Sequence, residues 1–390
     1  MKTRLITAGI IGAVIVALFV GQRQLGASLD SQAVQAPAFE VDPFWPKPLP
    51  NGWVIGSTIG VGVDSRDHVF IVHRQASLNA RTEVGAAQDP PTGSCCTPAP
   101  PVLEFDPEGN LVNSWGGEGD GYTWPESNHG ISIDHLDNVW IGGNGRGDSH
   151  ILKFGHDGKF LMQIGEPGQP VNSESRETFG RVAKISFDAS ANEAYIADGY
   201  GNKRVAVIDM TTGDMKRFWG AYGNVPSDSN LGRYNPDEPL AQQFRNPVHC
   251  AEPTNDGLVY VCDRPNNRIQ VFTTAGEFVK EAQFAPRTLG DGAVWDIAFS
   301  RDPEQKFLYL ADGKNERVYV IDRESLAVLT QFGGGGRQPG QFFAVHSIAT
   351  DSKGNIFTTE TYEGKRVQRF VYKGLRAVSA ADQGPLWPQR

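Results

Sequence analysis

Short apolar segments alternate with turns rich in Asp, Asn and Gly along most of the chain, and the alternation repeats. Each copy has a small apolar strand, a polar turn, a strand rich in β-branched and aromatic residues, a second polar or basic turn and a third strand. The copies start at Gly60-Val-Gly-Val-Asp, Gly130-Ile-Ser-Ile-Asp, Lys184-Ile-Ser-Phe-Asp, Cys250-Ala-Glu-Pro, Asp296-Ile-Ala-Phe and Ser347-Ile-Ala-Thr-Asp. A fourth short segment follows, as in Leu111-Val-Asn-Ser-Trp-Gly, Phe160-Leu-Met-Gln-Ile-Gly and Lys216-Arg-Phe-Trp-Gly. Strands separated by turn signals at this spacing are an all-β signature, and four strands per unit of roughly 45 to 70 residues predict propeller blades. Six copies predict a six-bladed β-propeller over residues 37–375. A four-stranded blade cannot bury both its faces alone, so the ring must close, with Phe39-Glu-Val-Asp as the outer strand of the last blade.

Longer insertions fall at residues 76–101, 165–180, 221–246 and 283–293, and in repeat proteins such insertions collect on the binding face. They are expected to wall a pocket over the central channel.

The first 36 residues follow another pattern. Lys2 and Arg4 precede an apolar run from Leu5 to Val20, too short for an ordinary spanning helix and suited to a secretory signal or an N-terminal membrane anchor. The mature part is therefore expected outside the cytoplasm, in a periplasm or extracellular. Residues 376–390 read as a C-terminal tail. The four cysteines suit an oxidising compartment. Cys250 and Cys262 lie on opposite arms of a predicted hairpin and suit a cross-strand disulfide, whereas the adjacent Cys95 and Cys96 either bridge each other or pair elsewhere.

Composition then narrows the function. With 36 Lys and Arg against 45 Asp and Glu, the net charge is −9, which disfavours nucleic acid as a partner. With 39% hydrophobic and 21% charged residues the chain is neither disordered nor polytopic.

The residue that opens each innermost strand lies five positions before the turn-starting Asp or its equivalent. In chain order these residues are Ile59, His129, Ala183, His249, Trp295 and His346. Histidine occupies alternate blades, about 120° apart in a six-bladed ring. Innermost strands line the channel, so the three imidazoles are expected to converge. Three His ligands with an open position suit catalytic zinc, with copper and iron as alternatives on ligand type. The other five histidines (His68, His73, His135, His150 and His156) fall off the register and read as turn or surface residues.

A second ring follows the second strand of each blade: Arg74, Asn144, Tyr200, Arg264, Lys314 and Glu360. Arg74 and Arg264 can hold a carboxylate bidentately. Tyr200 can serve as a general acid or base.

At these residues the chain resembles a known family. Its repeats are of the NHL type. The segments Asp198-Gly-Tyr-Gly-Asn-Lys-Arg-Val, Cys262-Asp-Arg-Pro-Asn-Asn-Arg-Ile-Gln-Val-Phe, Val72-His-Arg, His129-Gly-Ile-Ser-Ile-Asp and Val345-His-Ser-Ile-Ala resemble peptidyl-α-hydroxyglycine α-amidating lyase, the lyase half of peptide-amidating enzymes. The resemblance implies zinc on His129, His249 and His346, a catalytic Tyr200, and active-site Arg74 and Arg264. The family cleaves a carbinolamide to a peptide amide and glyoxylate without a redox cofactor. Two positions depart from the pattern. Ser347 stands where the family has an Asp that helps hold a structural calcium, with Asp296 the one nearby substitute, and Ala344 replaces a Met. The calcium is therefore in doubt.

No segment reads as the copper monooxygenase half that makes the hydroxyglycine, so a related small-molecule or peptidyl substrate is expected rather than a peptide hormone. The leading reading is an exported, monomeric, metal-dependent lyase. The second is a non-catalytic NHL propeller that binds a protein or glycan on its loop-walled face. A calcium-centred lactonase ranks last, because the channel register carries His rather than Asp and Glu.

Overall fold

The computed structural model describes residues 34–378. Residues 1–33 of the leader and 379–390 of the tail lie outside the described residues, while residues 35–36 and 376–377 belong to the outer strands of the sixth blade. Six four-stranded antiparallel sheets make the described fold. The innermost strands are Ser57–Val63, Asn128–Ile133, Val182–Asp188, Val248–Pro253, Asp296–Phe299 and Val345–Thr350. Gln35–Asp42 pairs antiparallel with Arg366–Ala377 as the outer strand of the sixth blade, closing the ring between its two chain ends. No helix among the described residues is long and apolar enough to cross a membrane.

Period-two alternation puts apolar side chains on both faces of each blade, so neighbouring blades bury one another. Accordingly the described residues form six buried clusters, one in each seam. Between blades 1 and 2, Ile59, Phe70 and Val102 meet Ile131, Ile141 and Phe154. Between blades 6 and 1, Phe357 and Val367 meet Val61, Ile71 and Phe105.

The repeated turn has a local cause. Asp134 Oδ1 accepts the backbone N–H of Leu136 and Asn138, both at 2.9 Å, and the Asp134 N–H donates to Asn138 O. An Asx turn of this kind satisfies the tight connection between the first two strands.

Disulfides link Cys250 to its cross-strand partner Cys262, and Cys95 to Cys96. The first staples the inner two strands of blade 4. The second lies in the insertion between the second and third strands of blade 1.

Antiparallel order puts the start of the first strand and the end of the second on the same face of every blade. The four insertions leave from that face too, so the His register, the second polar ring and the long loops share one mouth of the channel.

Candidate metal centre

Each histidine is the second residue of its innermost strand and sits at an irregularity in the sheet. The pairing register shifts between His129 and Ile131, between Val248 and Cys250, and between Val345 and Ser347. Such bulges re-aim a side chain, here into the channel. In blade 2 the extra residue is Gly130, at φ +69°, where an added Cβ would meet Ala183 O at 2.5 Å. Only glycine fits there.

The three imidazoles meet. Ring centroids are 5.3 Å apart for His129 and His249, and 4.9 Å for each of these to His346. One ring nitrogen from each lies within 4.8 Å of the others, and the residues are 1, 2 and 3% exposed.

The outer nitrogens are tied to backbone carbonyls at the same register of the intervening blades. His129 Nδ1 lies 2.7 Å from Ala183 O, and His249 Nδ1 contacts Trp295 O. His346 faces Ser347 Oγ at 3.2 Å, and Ile59 O lies beside both groups. A carbonyl accepts only, so Nδ1 carries the proton and Nε2 turns a lone pair inward. Burial holds all three imidazoles well below their ordinary range, helped by the Arg264 charge, so they are neutral. Three neutral, buried imidazoles with converging lone pairs fit a divalent cation, whose bonds to imidazole run about 2.0–2.1 Å for zinc.

Tyr200 completes the centre. Its hydroxyl lies 3.0 Å from both His129 Nε2 and His249 Nε2. Arg264 Nη1 donates to that hydroxyl at 3.3 Å, and its guanidinium lies over the Trp295 ring at 4.7 Å. Arg264 Nε is buried without a partner, and Asp291 reaches its other end at 3.7 Å. Arg74 donates to Asn144 Oδ1 at 2.8 Å and Asn128 O at 3.2 Å.

Two buried ion pairs fix the turns that carry these groups. Asp198 Oδ2 takes Arg204 Nε at 2.8 Å, with Tyr200 on the turn between them. Asp263 Oδ2 takes Arg268 Nε at 2.7 Å, with Arg264 between them. All four side chains are fully buried. Gly199 packs so tightly on the His249 strand that a Cβ would sit 1.9 Å from Val248 O.

Several expectations need correction. Glu360 does not face the channel. It is buried, its Oε1 accepts from Arg366 Nε at 3.0 Å and Gln368 Nε2 at 2.8 Å, and burial pushes its pKa up to about 7. It is the blade 6 version of the acid–arginine clamp. Lys314 is exposed, and Asn144 serves Arg74 and Ser127. His73 and His150 are buried rather than superficial. His73 Nδ1 accepts the Gly56 N–H at 3.1 Å and Nε2 donates to Pro100 O at 3.0 Å, so both nitrogens are satisfied inside blade 1. His150 Nε2 lies 2.7 Å from Thr123 O. Asp296, the candidate stand-in for a calcium ligand, is taken by Lys184 Nζ at 2.7 Å and by the Ile348 N–H at 3.1 Å. Asp291 and Tyr362 fall in neither ring read from the sequence, and Trp295 shares the register of the histidines without a ligand atom; their charges or rings bear on the centre.

Comparison with known proteins agrees with this architecture. An NHL repeat matches residues 254–272. NHL repeat-containing protein 3 of Mus musculus is 24% identical over 308 residues, 77% of this chain and 72% of that protein. Peptidyl-glycine alpha-amidating monooxygenase B of Xenopus laevis is 30% identical over 155 residues, 39% of this chain and 16% of that protein. The Rattus norvegicus amidating monooxygenase is 25% identical over 236 residues, 59% of this chain and 22% of that protein. Among solved structures, a streptogramin B lyase covers 86% of this chain with a TM-score of 0.51 at 13% identity, a likeness of fold. The chain is a six-bladed β-propeller with an NHL repeat, similar in sequence to NHL repeat-containing protein 3 and to part of the peptidylglycine amidating monooxygenases.

Proposed function

We propose that this chain is an exported, metal-dependent lyase that cleaves an α-hydroxyglycine or related carboxylate-bearing carbinolamide, with zinc on His129, His249 and His346. The observation that carries the reading is the convergence of three neutral Nε2 lone pairs beside the Tyr200 hydroxyl. The similarity to amidating monooxygenases, though partial, runs in the same direction.

The cation, when bound, supplies a Lewis acid for the substrate oxygen. The protein supplies the rest. Arg264 and Arg74 flank the centre and receive the substrate carboxylate, Arg264 with one nitrogen still unpartnered. Tyr200, next to the Arg264 guanidinium, takes the proton of the substrate hydroxyl as the C–N bond breaks. The carbon–oxygen bond becomes a carbonyl, the amide nitrogen gains a proton, and amide and glyoxylate leave. No electrons are exchanged, so no redox cofactor is needed. The two disulfides suit a life outside the cytoplasm.

The test is glyoxylate release from a synthetic α-hydroxyglycine amide. Metal-dependent release supports the proposal. A folded, metal-loaded protein without turnover on α-hydroxyglycine substrates leaves the loop-walled face as a binding surface.

A further inference from the structure

A second cluster of metal-binding side chains lies at the other face of the ring, in the seam between blades 1 and 2. It starts from the same Asx turn as blades 2 and 6. Asp64 Oδ1 accepts the N–H groups of Arg66 at 2.9 Å and His68 at 2.8 Å. What differs is the fate of the second oxygen. In blade 2, Asp134 Oδ2 takes Asn138 Nδ2 at 3.0 Å, with the Lys153 ammonium at 3.7 Å. In blade 6, Asp351 Oδ2 takes Asn355 Nδ2 at 2.7 Å.

Blade 1 changes both partners. Where the others carry Asn it has His68, which turns away to Glu104 Oε1 at 2.6 Å. Where blade 2 carries Lys153, opposite Trp140, blade 1 carries Glu104, opposite Phe70. A carboxylate has thus replaced the built-in cation, and two buried carboxylates face each other, with side chains 0 and 3% exposed. Two converging buried charges of one sign need a cation between them.

Blade 2 sends a further ligand across the seam. His156 Nε2 lies 3.0 Å from Asp64 Oδ2 and 3.3 Å from Glu104 Oε1, and Asp64, Glu104 and His156 each offer an atom within 4.8 Å of the others. The half-exposed Arg66 guanidinium reaches Asp64 Oδ2 at 3.0 Å and Glu104 Oε1 at 3.5 Å, and also touches His156 Nε2. A single imidazole nitrogen cannot donate to two carboxylates while accepting from a guanidinium.

We propose that Asp64, Glu104 and His156, with His68 as a fourth donor, form a second site for a divalent first-row cation such as zinc, and that Arg66 is its displaceable placeholder. Two imidazoles and two carboxylates are a donor set such ions accept. The site joins residues of two blades, so occupancy staples the seam and stabilises the ring by mass action. It is independent of the trio on the other face.

The test is a zinc titration of chelator-treated full-length protein by calorimetry, with metal analysis after desalting. Wild type takes up two equivalents. His156→Ala and Glu104→Gln each lose one and lose part of the zinc-induced rise in melting temperature. Arg66→Ala binds the second equivalent severalfold more tightly, because its competitor is gone. Uptake unchanged in both His156→Ala and Glu104→Gln overturns the proposal, as does weaker binding by Arg66→Ala. Should the channel trio hold no metal, wild type takes up one equivalent, which His249→Ala keeps and His156→Ala loses; that outcome supports this site and removes the other.

Discussion

Neutral, buried imidazoles at the hub make the metal-free protein sensitive to acid, and the size of the effect follows from the structure. In the unfolded chain each of His129, His249 and His346 titrates near 6.5; burial depresses all three in the fold. The stability they confer is complete above the unfolded value and is lost as pH falls below it toward the folded values. At pH 5.5 the unfolded state gains about 1.4 kcal/mol per imidazole, about 4 kcal/mol for the three. Other groups titrate in the same range: His73 is held at about 4, while Asp296 is raised to about 6 and Glu360 to about 7, the last two with opposite sign. A difference experiment removes them. Chelator-treated wild type and His129→Gln are unfolded in urea at pH 8.0 and pH 5.5. The variant should show about 1.4 kcal/mol less pH dependence, since distant groups contribute equally to both proteins. Identical pH dependence would mean that His129 is not held neutral, and the argument for a preformed ligand set would fail.

Other outcomes follow from the same geometry. Tyr200→Phe should lower glyoxylate release by about 10²–10⁴-fold while metal content stays at the wild-type level; full activity removes the hydroxyl from the mechanism. Arg264→Ala should raise KM for carboxylate-bearing substrates while the melting temperature hardly moves, and an unchanged KM would place the carboxylate elsewhere. Arg268→Ala leaves Asp263 buried without its arginine and should destabilise the fold by about 3–5 kcal/mol in chemical denaturation.

The ring was legible because each strand carries its own alternation and four of the six repeat turns start with Asp, Thr254 and Ser300 standing in its place in blades 4 and 5. The closing strand could be found because Phe39 is one of few early residues with a strand pattern, and it packs on Tyr309 and Phe332. The meeting of the three histidines followed from register alone, since one repeat position maps to one height in the channel. Their outer partners were invisible, because Ala183 O, Trp295 O and Ile59 O are backbone atoms and any side chain there offers the same carbonyl. Glu360 was misread for a physical reason. It ends the second strand opposite Val345, as Asp198 and Asp263 do opposite Val182 and Val248, so it stands just before the position of Tyr200 and Arg264, and Arg366 draws its carboxylate into the blade. The spacing of Asp198 to Arg204 and Asp263 to Arg268 carried the same signal. His73 was misplaced because a strand-end histidine reads as polar, whereas here the Gly56 N–H and Pro100 O satisfy it fully.

The claim on which the rest depends is that one cation at the hub is gripped by the three imidazoles and is needed for turnover. Metal content and glyoxylate release are to be measured on the same preparations of wild type and His249→Ala. The variant should stay folded, lose one equivalent of metal and release no glyoxylate. A variant that keeps the wild-type metal content, or that turns over without that ion, would show that the three imidazoles do not hold a catalytic cation.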